Sequence, residues 1–362
     1  MCVGMAACPA VFDVAVVGGG MSGLSAAAHL ARHSARQQSQ QPALNWVVLE
    51  ANALRFGGRM LSTAHGVDLG PAWIWPHYGQ RHVAELVAST GAETFYQPDD
   101  RSAMRVVGGT AELASRLAAS LPGERLKLDW PVRSLTLDDA AGVVEVRSGD
   151  EKVVHARRVI VAIPPRLAHL KVEFSPPLSP EKVKAMEASR TWMAGVTKVV
   201  LRYPSRFWPL GPASNAGLRR GPGRPAFQVY DGTGDKEAGG AALTFFCVAD
   251  DDSKDDAQLG DQVAKQLGEY WSSGGLDASS VESLGRPLGV EVQRWPKEKW
   301  IADDPNPTFV HPHPEPVREL ARPEWQGRLL FAGTETDQSS PGVIEGAIGA
   351  GVRAAEDALR GL

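Results

Sequence analysis

The first strong pattern is an apolar run, Val14–Val17, that ends in glycines and resumes at helical spacing. In DVAVVGGGMSGLSAAAHL, residues 13–30, Leu24, Ala27 and Ala28, followed by Ala31, fall on one face. The pattern predicts a strand, a turn and a helix, with Ser22 placed to cap the helix. Residues 34–41, SARQQSQQ, are polar and low in complexity, so they read as a surface extension. Trp46–Glu50 reads as a second strand. GGTAELASRLAASL, 108–121, predicts a helix with Leu113, Leu117 and Leu121 four apart.

Beyond it the pattern shortens to β-type runs at Val132–Leu137, Val143–Arg147, Lys152–Val154 and Val159–Ile163, stopped by Pro164–Pro165. Val196–Tyr203 and Ala242–Val248 read as further strands. Leu259, Val263, Leu267 and Tyr270 mark an amphipathic helix. Leu329–Ala332 predicts a strand and Val343–Leu359 a last helix. Loops rich in Pro, Gly and charge, 209–225 and 231–240, punctuate the middle and leave both ends strand–turn–helix in style. There is no internal repeat. The expected class is α/β: a Rossmann-like nucleotide-binding domain from both ends of the chain (11–75, 106–167 and 296–362) with an inserted α+β domain (76–105 and 168–295).

Composition narrows this picture. The 362 residues suit about two domains at ~150 each. Net charge is −4, and the basic RRGPGR at 219–224 has no aromatic interleaving, so no nucleic-acid partner is expected. Apolar runs fall far short of the ~18 residues of a membrane span, so no membrane anchor is expected. The start MCVGMAACPA lacks a basic segment and a long apolar core, which argues against a signal peptide. Cys2, Cys8 and Cys247 have no metal spacing, and so sparse a set suits a reducing, cytoplasmic setting. Redox chemistry then needs a cofactor.

Gly18, Gly20 and Gly23 form GxGxxG between strand and helix. The first allows a tight turn, the second lets backbone approach a pyrophosphate, and the third allows close helix packing. Helix N–H groups then face the anion. Glu50 ends the second strand, where a carboxylate accepts ribose hydroxyls and disfavours a 2′-phosphate. It lies 27 residues after Gly23, beyond the ~20 of the usual fingerprint, and the polar extension accounts for the excess.

Three later stretches bear on which dinucleotide binds: GGR at 57–59, DLGPAWIW at 68–75, and FAGTETDQSSPGVIEG at 331–346. Gly342, Gly346, Gly349 and Gly351 let the last helix press close to a flat ring. In this order the motifs resemble the flavin-containing amine oxidase family, which includes the monoamine and polyamine oxidases, from about Asp13 to Leu359. The resemblance implies FAD, with the inserted domain serving the substrate. It places Gly18, Gly20, Ser22 and Gly23 at the diphosphate, Glu50 and Ala51 at the adenosine ribose, and Gly58 and Arg59 by the diphosphate. It implies that Pro71, Ala72 and Trp73 line the flavin and that Val132 offers backbone to adenine. Glu335 would sit by the diphosphate–ribityl part, and Val343 would aim backbone N–H at the pyrimidine oxygen, where the helix dipole favours negative charge.

Lys198 interrupts the apolar strand VTKVVLRY. A charge there needs a reason. The plain alternative is an edge-strand lysine reaching solvent. The family's matching lysine holds a water against flavin N5, and a cation there favours electron transfer to O2. It could also position water for imine hydrolysis. No Ser/His/Asp constellation is present, and hydride transfer to flavin requires none.

The chain departs from the family in four ways. Only about thirty residues, Arg81 to Val107, stand where a long helix-rich substrate segment is usual. Asp304 lies near the place of the monoamine oxidases' attachment cysteine, so FAD is expected to be non-covalent. Val343 and Pro305 fall at or near the aromatic pair that sandwiches the amine, leaving Trp73, Trp75, Trp300 and Tyr230 as candidate walls or as core. The turn after Glu50 is one residue longer than usual, and Asn52 stands where arginine is common. His311 and His313 are flanked by prolines without a third ligand, and ADDDSKDD at 249–256 lacks a calcium-loop glycine, so neither is read as a metal site.

The expectation is an FAD-dependent oxidase that moves hydride from an amine C–N to flavin N5 and passes electrons to O2, giving H2O2. A renalase-like or desaturase-like flavoprotein oxidising a non-amine donor is the alternative, and a non-catalytic flavoprotein that binds a partner is the third.

Overall fold

The computed structural model describes residues 11–36, 43–235, 240–248, 255–302 and 312–362. The expectations on Cys2, Cys8, 37–41, 249–254, Asp304, Pro305 and His311 lie outside these residues. In chain order the first elements are β1 (Val11–Val17), α1 (Met21–Arg36), β2 (Trp46–Leu49), α2 (Arg81–Thr90), β3 (Thr94–Gln97), β4 (Asp100–Val106) and α3 (Ala111–Ala119). Next come β5 (Leu126–Lys127), β6 (Val132–Asp138), β7 (Val143–Ser148), β8 (Val153–Val161), α4 (Pro165–Lys171), β9 (Glu173–Ser175) and α5 (Pro180–Ala188). Then follow β10 (Val196–Tyr203), β11 (Asn215–Gly217), β12 (Ala226–Asp231), β13 (Ala241–Val248), α6 (Asp256–Ser273), α7 (Ala278–Leu284) and β14 (Gly289–Arg294). The last are α8 (Arg318–Ala321), β15 (Leu329–Phe331) and α9 (Ile344–Arg360).

The chain divides into two compact units: residues 1–58, 117–190 and 314–362, and residues 59–116 and 191–313. The functional ranges drawn from sequence divide it elsewhere, with 59–75 grouped among the nucleotide-binding residues.

In the first unit the strand order is β5-β2-β1-β8-β7-β6-β9, and β15 also pairs with β8. β1 runs parallel to β2 (Val16↔Val48) and to β8 (Val16↔Ile160). Val14–Val17 and Trp46–Leu49 are buried throughout, which is why they read as unbroken apolar runs: a parallel sheet covered on both faces has no polar side. The two runs expected at 152–154 and 159–163 are one strand. The first part of β8 pairs antiparallel with β7 (Ala156↔Val144) and the last part parallel with β15 (Val159↔Leu329), so His155, Arg157 and Arg158 interrupt the apolar pattern without ending the strand. Lys182 of α5 is buried here, with Nζ donating to the Leu320 and Arg322 carbonyls (3.1 and 2.6 Å) and lying 4.0 Å from the Phe331 ring centre. Burial lowers its pKa to about 7.

In the second unit the sheet order is β11-β12-β13-β10-β14, antiparallel throughout. Alternation divides β10 between two cores. Val199, Leu201 and Tyr203 pack with Val263, Leu267 and Trp271 of α6. Val200 packs with Val67 and Leu69, and Val196 with Ala72, Tyr230 and Phe246. A capping box, Asp255 with Gln258, starts α6 before the first residue of its apolar stripe. Tyr270, expected on that stripe, is on the wetter side, and Trp271 takes its place. The short stretch 81–107 holds α2 and the β3–β4 hairpin.

Candidate functional site

The glycine turn lies in the first unit, and each glycine answers a different demand. Gly18 has φ +103°, and a Cβ there would meet Ile163 and the Ala162 carbonyl at 2.7 and 2.8 Å. A Cβ on Gly23 would lie 1.9 Å from the Gly18 carbonyl, so α1 packs directly on the turn. At Gly20 the nearest such contact is the Gly58 Cα at 3.9 Å, which leaves that backbone approachable. Gly19, which the sequence pattern passed over, has no room either: its Cβ would stand 2.4 Å from Phe56.

Ser22 does not cap α1. The helix starts at Met21, and the Ser22 hydroxyl accepts the Gly333 N–H at 2.9 Å. That bond ties α1 to the turn between β15 and α9. The expectation that glycines of the last helix face a flat ring needs correcting at two positions. A Cβ on Gly351 would lie 2.2 Å from the Ser22 carbonyl, and one on Gly346 would lie 1.9 Å from the Ser340 carbonyl. These two serve helix–helix and helix–turn packing. Val343 is the N-cap residue of α9, offers no side-chain cap, and accepts the Thr334 hydroxyl at 2.8 Å. Glu335 is buried in the turn beside it.

Glu50 sits just past β2 and is 7% exposed. Its Oε2 accepts the Gly19 N–H at 2.6 Å and its Oε1 accepts the Asn52 N–H at 2.7 Å. Burial raises its pKa, against the lowering effect of the Asn52, Gly19 and Ala51 backbone N–H groups and of Arg55. A carboxylate has about four acceptor sites, so acceptor capacity stays open for a ligand hydroxyl. Ala51 follows it directly, and Asn52 turns back on the chain through its side chain, accepting the Leu54 N–H at 2.8 Å. Arg55, not singled out from sequence, donates to the Gly58 carbonyl at 2.8 Å and adds positive potential near Glu50. Val132 opens β6, buried, opposite Ser148.

The remaining sequence candidates belong to the second unit. Arg59 donates to the Trp192 carbonyl at 3.2 Å. Pro71 accepts from the Thr110 hydroxyl at 2.7 Å, and Ala72 is buried. Lys198 is not an edge residue: β10 lies between β13 and β14, and the side chain is 2% exposed. Its Nζ donates to Gly70 O at 2.6 Å, Tyr230 Oη at 3.1 Å and Asp68 O at 3.4 Å. It lies 4.5 Å from the Phe246 ring centre and 5.2 Å from that of Tyr230. Burial lowers its pKa to about 7, with Asp68 opposing and Arg105 assisting. Burial also pushes the Tyr230 hydroxyl well up, so it stays protonated.

Of the candidate wall residues, the fold joins Trp73 with Tyr230 (ring centres 4.6 Å) and with Phe246 (6.1 Å, stacked). Tyr230 is fully buried and is therefore core, whereas Trp73 and Phe227 are half-buried. Trp300 lies under the Lys299 ammonium instead. Beneath this cluster lies a polar network that the sequence reading did not assemble. The Asp68 carboxylate, fully buried, accepts the Thr110 N–H (2.7 Å), the Ser62 hydroxyl (3.0 Å) and Arg105 (3.3 Å). Arg105 also donates to the Thr233 carbonyl at 2.9 Å. Lone polar residues in an apolar context signalled it, but nothing in their spacing says which pair. Among the described residues no group of three or more His, Cys, Asp or Glu side chains is placed to hold a metal.

Each unit carries features that suit a flavin dinucleotide: in the first, a backbone cradle open at Gly20 and a strand-end carboxylate with acceptor capacity to spare; in the second, a buried amine beside aromatic rings. Comparison with known proteins points the same way. Residues 94–359 match the model of the flavin containing amine oxidoreductase family, and residues 16–105 that of an NAD(P)-binding Rossmann-like domain. The flavin-containing amine oxidase B of Cavia porcellus is 29% identical over 263 residues, 71% of this chain and 47% of that protein. The Sus scrofa enzyme is 30% identical over 261 residues, with the same coverage. The chain thus spans about half the length of these curated relatives. Among solved structures, wild-type putrescine oxidase bound to putrescine superposes with a TM-score of 0.72 at 18% identity, covering 97% of this chain and 99% of that one. Cyclohexylamine oxidase from Brevibacterium oxydans gives 0.68 at 18% identity over 97% of this chain.

Proposed function

The chain belongs to the flavin-containing amine oxidoreductase family, and from that premise we propose that it is an FAD-dependent amine oxidase. The observation that carries this reading furthest is Lys198, a buried amine on a central strand whose pKa lies near neutrality. When bound, the flavin supplies two-electron chemistry: an amine and O2 become an imine and H2O2, and water then converts the imine to an aldehyde and ammonia or an amine.

The protein's own residues do the rest. Gly18, Gly20, Ser22 and Gly23 shape the diphosphate cradle, and Glu50 with Ala51 takes the ribose. Gly58 and Arg59 follow beside the diphosphate, Val132 offers backbone to adenine, Glu335 sits by the ribityl part, and Val343 brings the positive end of α9 to the pyrimidine edge. Pro71, Ala72 and Trp73 line the ring. Trp73 and Phe227 give the substrate an apolar wall, which favours an amine that arrives uncharged. Lys198 exists both as ammonium and as amine near pH 7. The cation favours electrons arriving at O2, and the free amine has a lone pair that accepts a proton from water.

FAD is held without a covalent bond on this reading, so acid precipitation should leave the yellow colour in the supernatant. Cys247, the described cysteine, is buried on β13, and the cytoplasmic setting rests on the sparse cysteine set. Among the described residues no helix is long and apolar enough to cross a membrane.

Anaerobic mixing with a panel of amines tests the reading: bleaching of the flavin absorbance supports it. Bleaching by NADH or an isomer, with every amine inert, replaces it with the non-amine donor alternative, which the short α2–β3–β4 stretch favours. No bleaching by any donor, with FAD retained, leaves a non-catalytic flavoprotein.

A further inference from the structure

Four successive carbonyl oxygens in the second unit, those of Asp68, Leu69, Gly70 and Pro71, each accept a hydrogen bond from a side chain. Lys198 Nζ serves Asp68 O (3.4 Å) and Gly70 O (2.6 Å). Trp295 Nε1 serves Leu69 O at 2.9 Å. Thr110 Oγ1 serves Pro71 O at 2.7 Å. Thr110 has one hydroxyl proton and a longer contact to Asp68 Oδ1 (3.0 Å), but its backbone N–H already serves that oxygen at 2.7 Å. The proton therefore goes to Pro71. Lys198, Trp295 and Thr110 are all buried.

On the other side of the segment, Leu69 N–H and Gly70 N–H both donate to the Leu61 carbonyl (2.9 and 2.8 Å). Gly70 has no room to shift, since a Cβ there would lie 2.0 Å from the Arg59 carbonyl. Regular secondary structure satisfies carbonyls with backbone donors, and most side-chain donors go to scattered sites. A run of four carbonyls served by three buried side chains fixes a backbone that, beyond the isolated bridge of Asp68 to Ser62, no strand or helix holds.

We propose that Trp295 and Thr110 are positioning residues that act through the Leu69 and Pro71 carbonyls to fix the Ala72–Trp73 backbone against which the flavin is bound. This rests on the reading above that Pro71, Ala72 and Trp73 line the ring. It also assigns part of the work of Lys198. As an ammonium, its three hydrogens face Gly70 O, Asp68 O and Tyr230 Oη, so it clamps the same segment. As a neutral amine it donates only two and has a lone pair to offer. Trp295 and Thr110 do not ionise and hold the segment in both states.

Trp295→Phe removes one donor and keeps the ring in its cluster with Ala194 and Ile301. Thr110→Val removes another at constant shape, and Thr110→Ser restores it. Hydrogen exchange at the Leu69, Gly70 and Ile74 amides in flavin-free protein, and the FAD dissociation constant with the visible spectrum of the bound flavin, are the readouts. Each of the first two variants should exchange at these amides about tenfold faster, since an orphaned buried carbonyl costs on the order of a factor of ten or more. Each should bind FAD several-fold more weakly with a shifted flavin band, and Thr110→Ser should behave as wild type. Normal exchange and normal FAD affinity in either folded variant would overturn the proposal, and the two lesions are independent, so one folded variant suffices. If wild type takes up no FAD, the functional reading fails and the proposal falls with it, whereas exchange still reports whether the clamp exists.

Discussion

Replacing Lys198 by methionine should flatten the pH dependence of stability in a calculable window. In the folded chain burial brings the pKa of Lys198 from the ordinary 10.5 down to about 7. Between those values the unfolded chain binds the proton and the folded chain does not, so stability rises with pH across the window. One pKa unit is worth about 1.4 kcal/mol. From pH 7.5 to 9.5 the folded lysine is mostly neutral and the unfolded one mostly charged, so this side chain adds ~2.5 kcal/mol of stability over the interval. Methionine keeps the unbranched apolar stem and cannot titrate. It leaves Gly70 O without its lysine donor, a loss of ~1–3 kcal/mol.

The assay is denaturant unfolding of flavin-free wild type and Lys198→Met at pH 7.5, 8.5 and 9.5. The stability of wild type relative to Lys198→Met should rise by ~2.5 kcal/mol across that interval, because groups elsewhere cancel in the difference. Lys182→Met is the matching control in the other unit, with the same window and no part in the proposed chemistry. Parallel curves for wild type and Lys198→Met would mean that the amine does not titrate near neutrality, and its proposed proton chemistry would go with it.

Other outcomes follow from the same geometry. Lys198→Met should slow oxidation by O2 in stopped flow far more than it weakens FAD binding, and equal oxidation rates would remove the lysine from that step. Glu50→Ala should lose FAD on dilution and gel filtration, because the Gly19 and Asn52 amides lose their acceptor along with the ribose; full retention argues against the ribose contact. Gly23→Ala forces a methyl group against the Gly18 carbonyl and should cost at least ~1–3 kcal/mol in thermal or denaturant unfolding, with FAD uptake impaired.

The glycine turn, the place of Glu50 just past a strand and the meeting of β1 and β15 on β8 were legible because each rests on local rules: strand, turn, helix and a carboxylate at a strand end. Lys198 was legible as an anomaly, a charge in an apolar run, but its partners were not. Asp68, Gly70 and Tyr230 lie 130, 128 and 32 positions away, and spacing carries no record of such distances. Ser22 misled for a related reason. A serine in a first turn usually serves its own helix, and here a distant N–H, that of Gly333, takes its hydroxyl instead. The glycines of α9 were visible, but sequence does not say whether bare backbone faces a ligand or another helix. Gly351 faces α1. The strand runs at 152–154 and 159–163 separated on paper because their polar bridge sits where β8 exchanges one neighbour for another.

The bond between Ser22 and Gly333 joins residues 311 positions apart. A ribosome adding about 5–20 residues per second makes the serine roughly 15–60 s before the glycine. During that interval α1 lacks both the hydroxyl's partner and the helix that Gly351 brings against it. The turn that Ser22 helps to close is therefore begun long before it is completed, and until α9 is made the growing chain carries an apolar face of α1 for chaperones to shield.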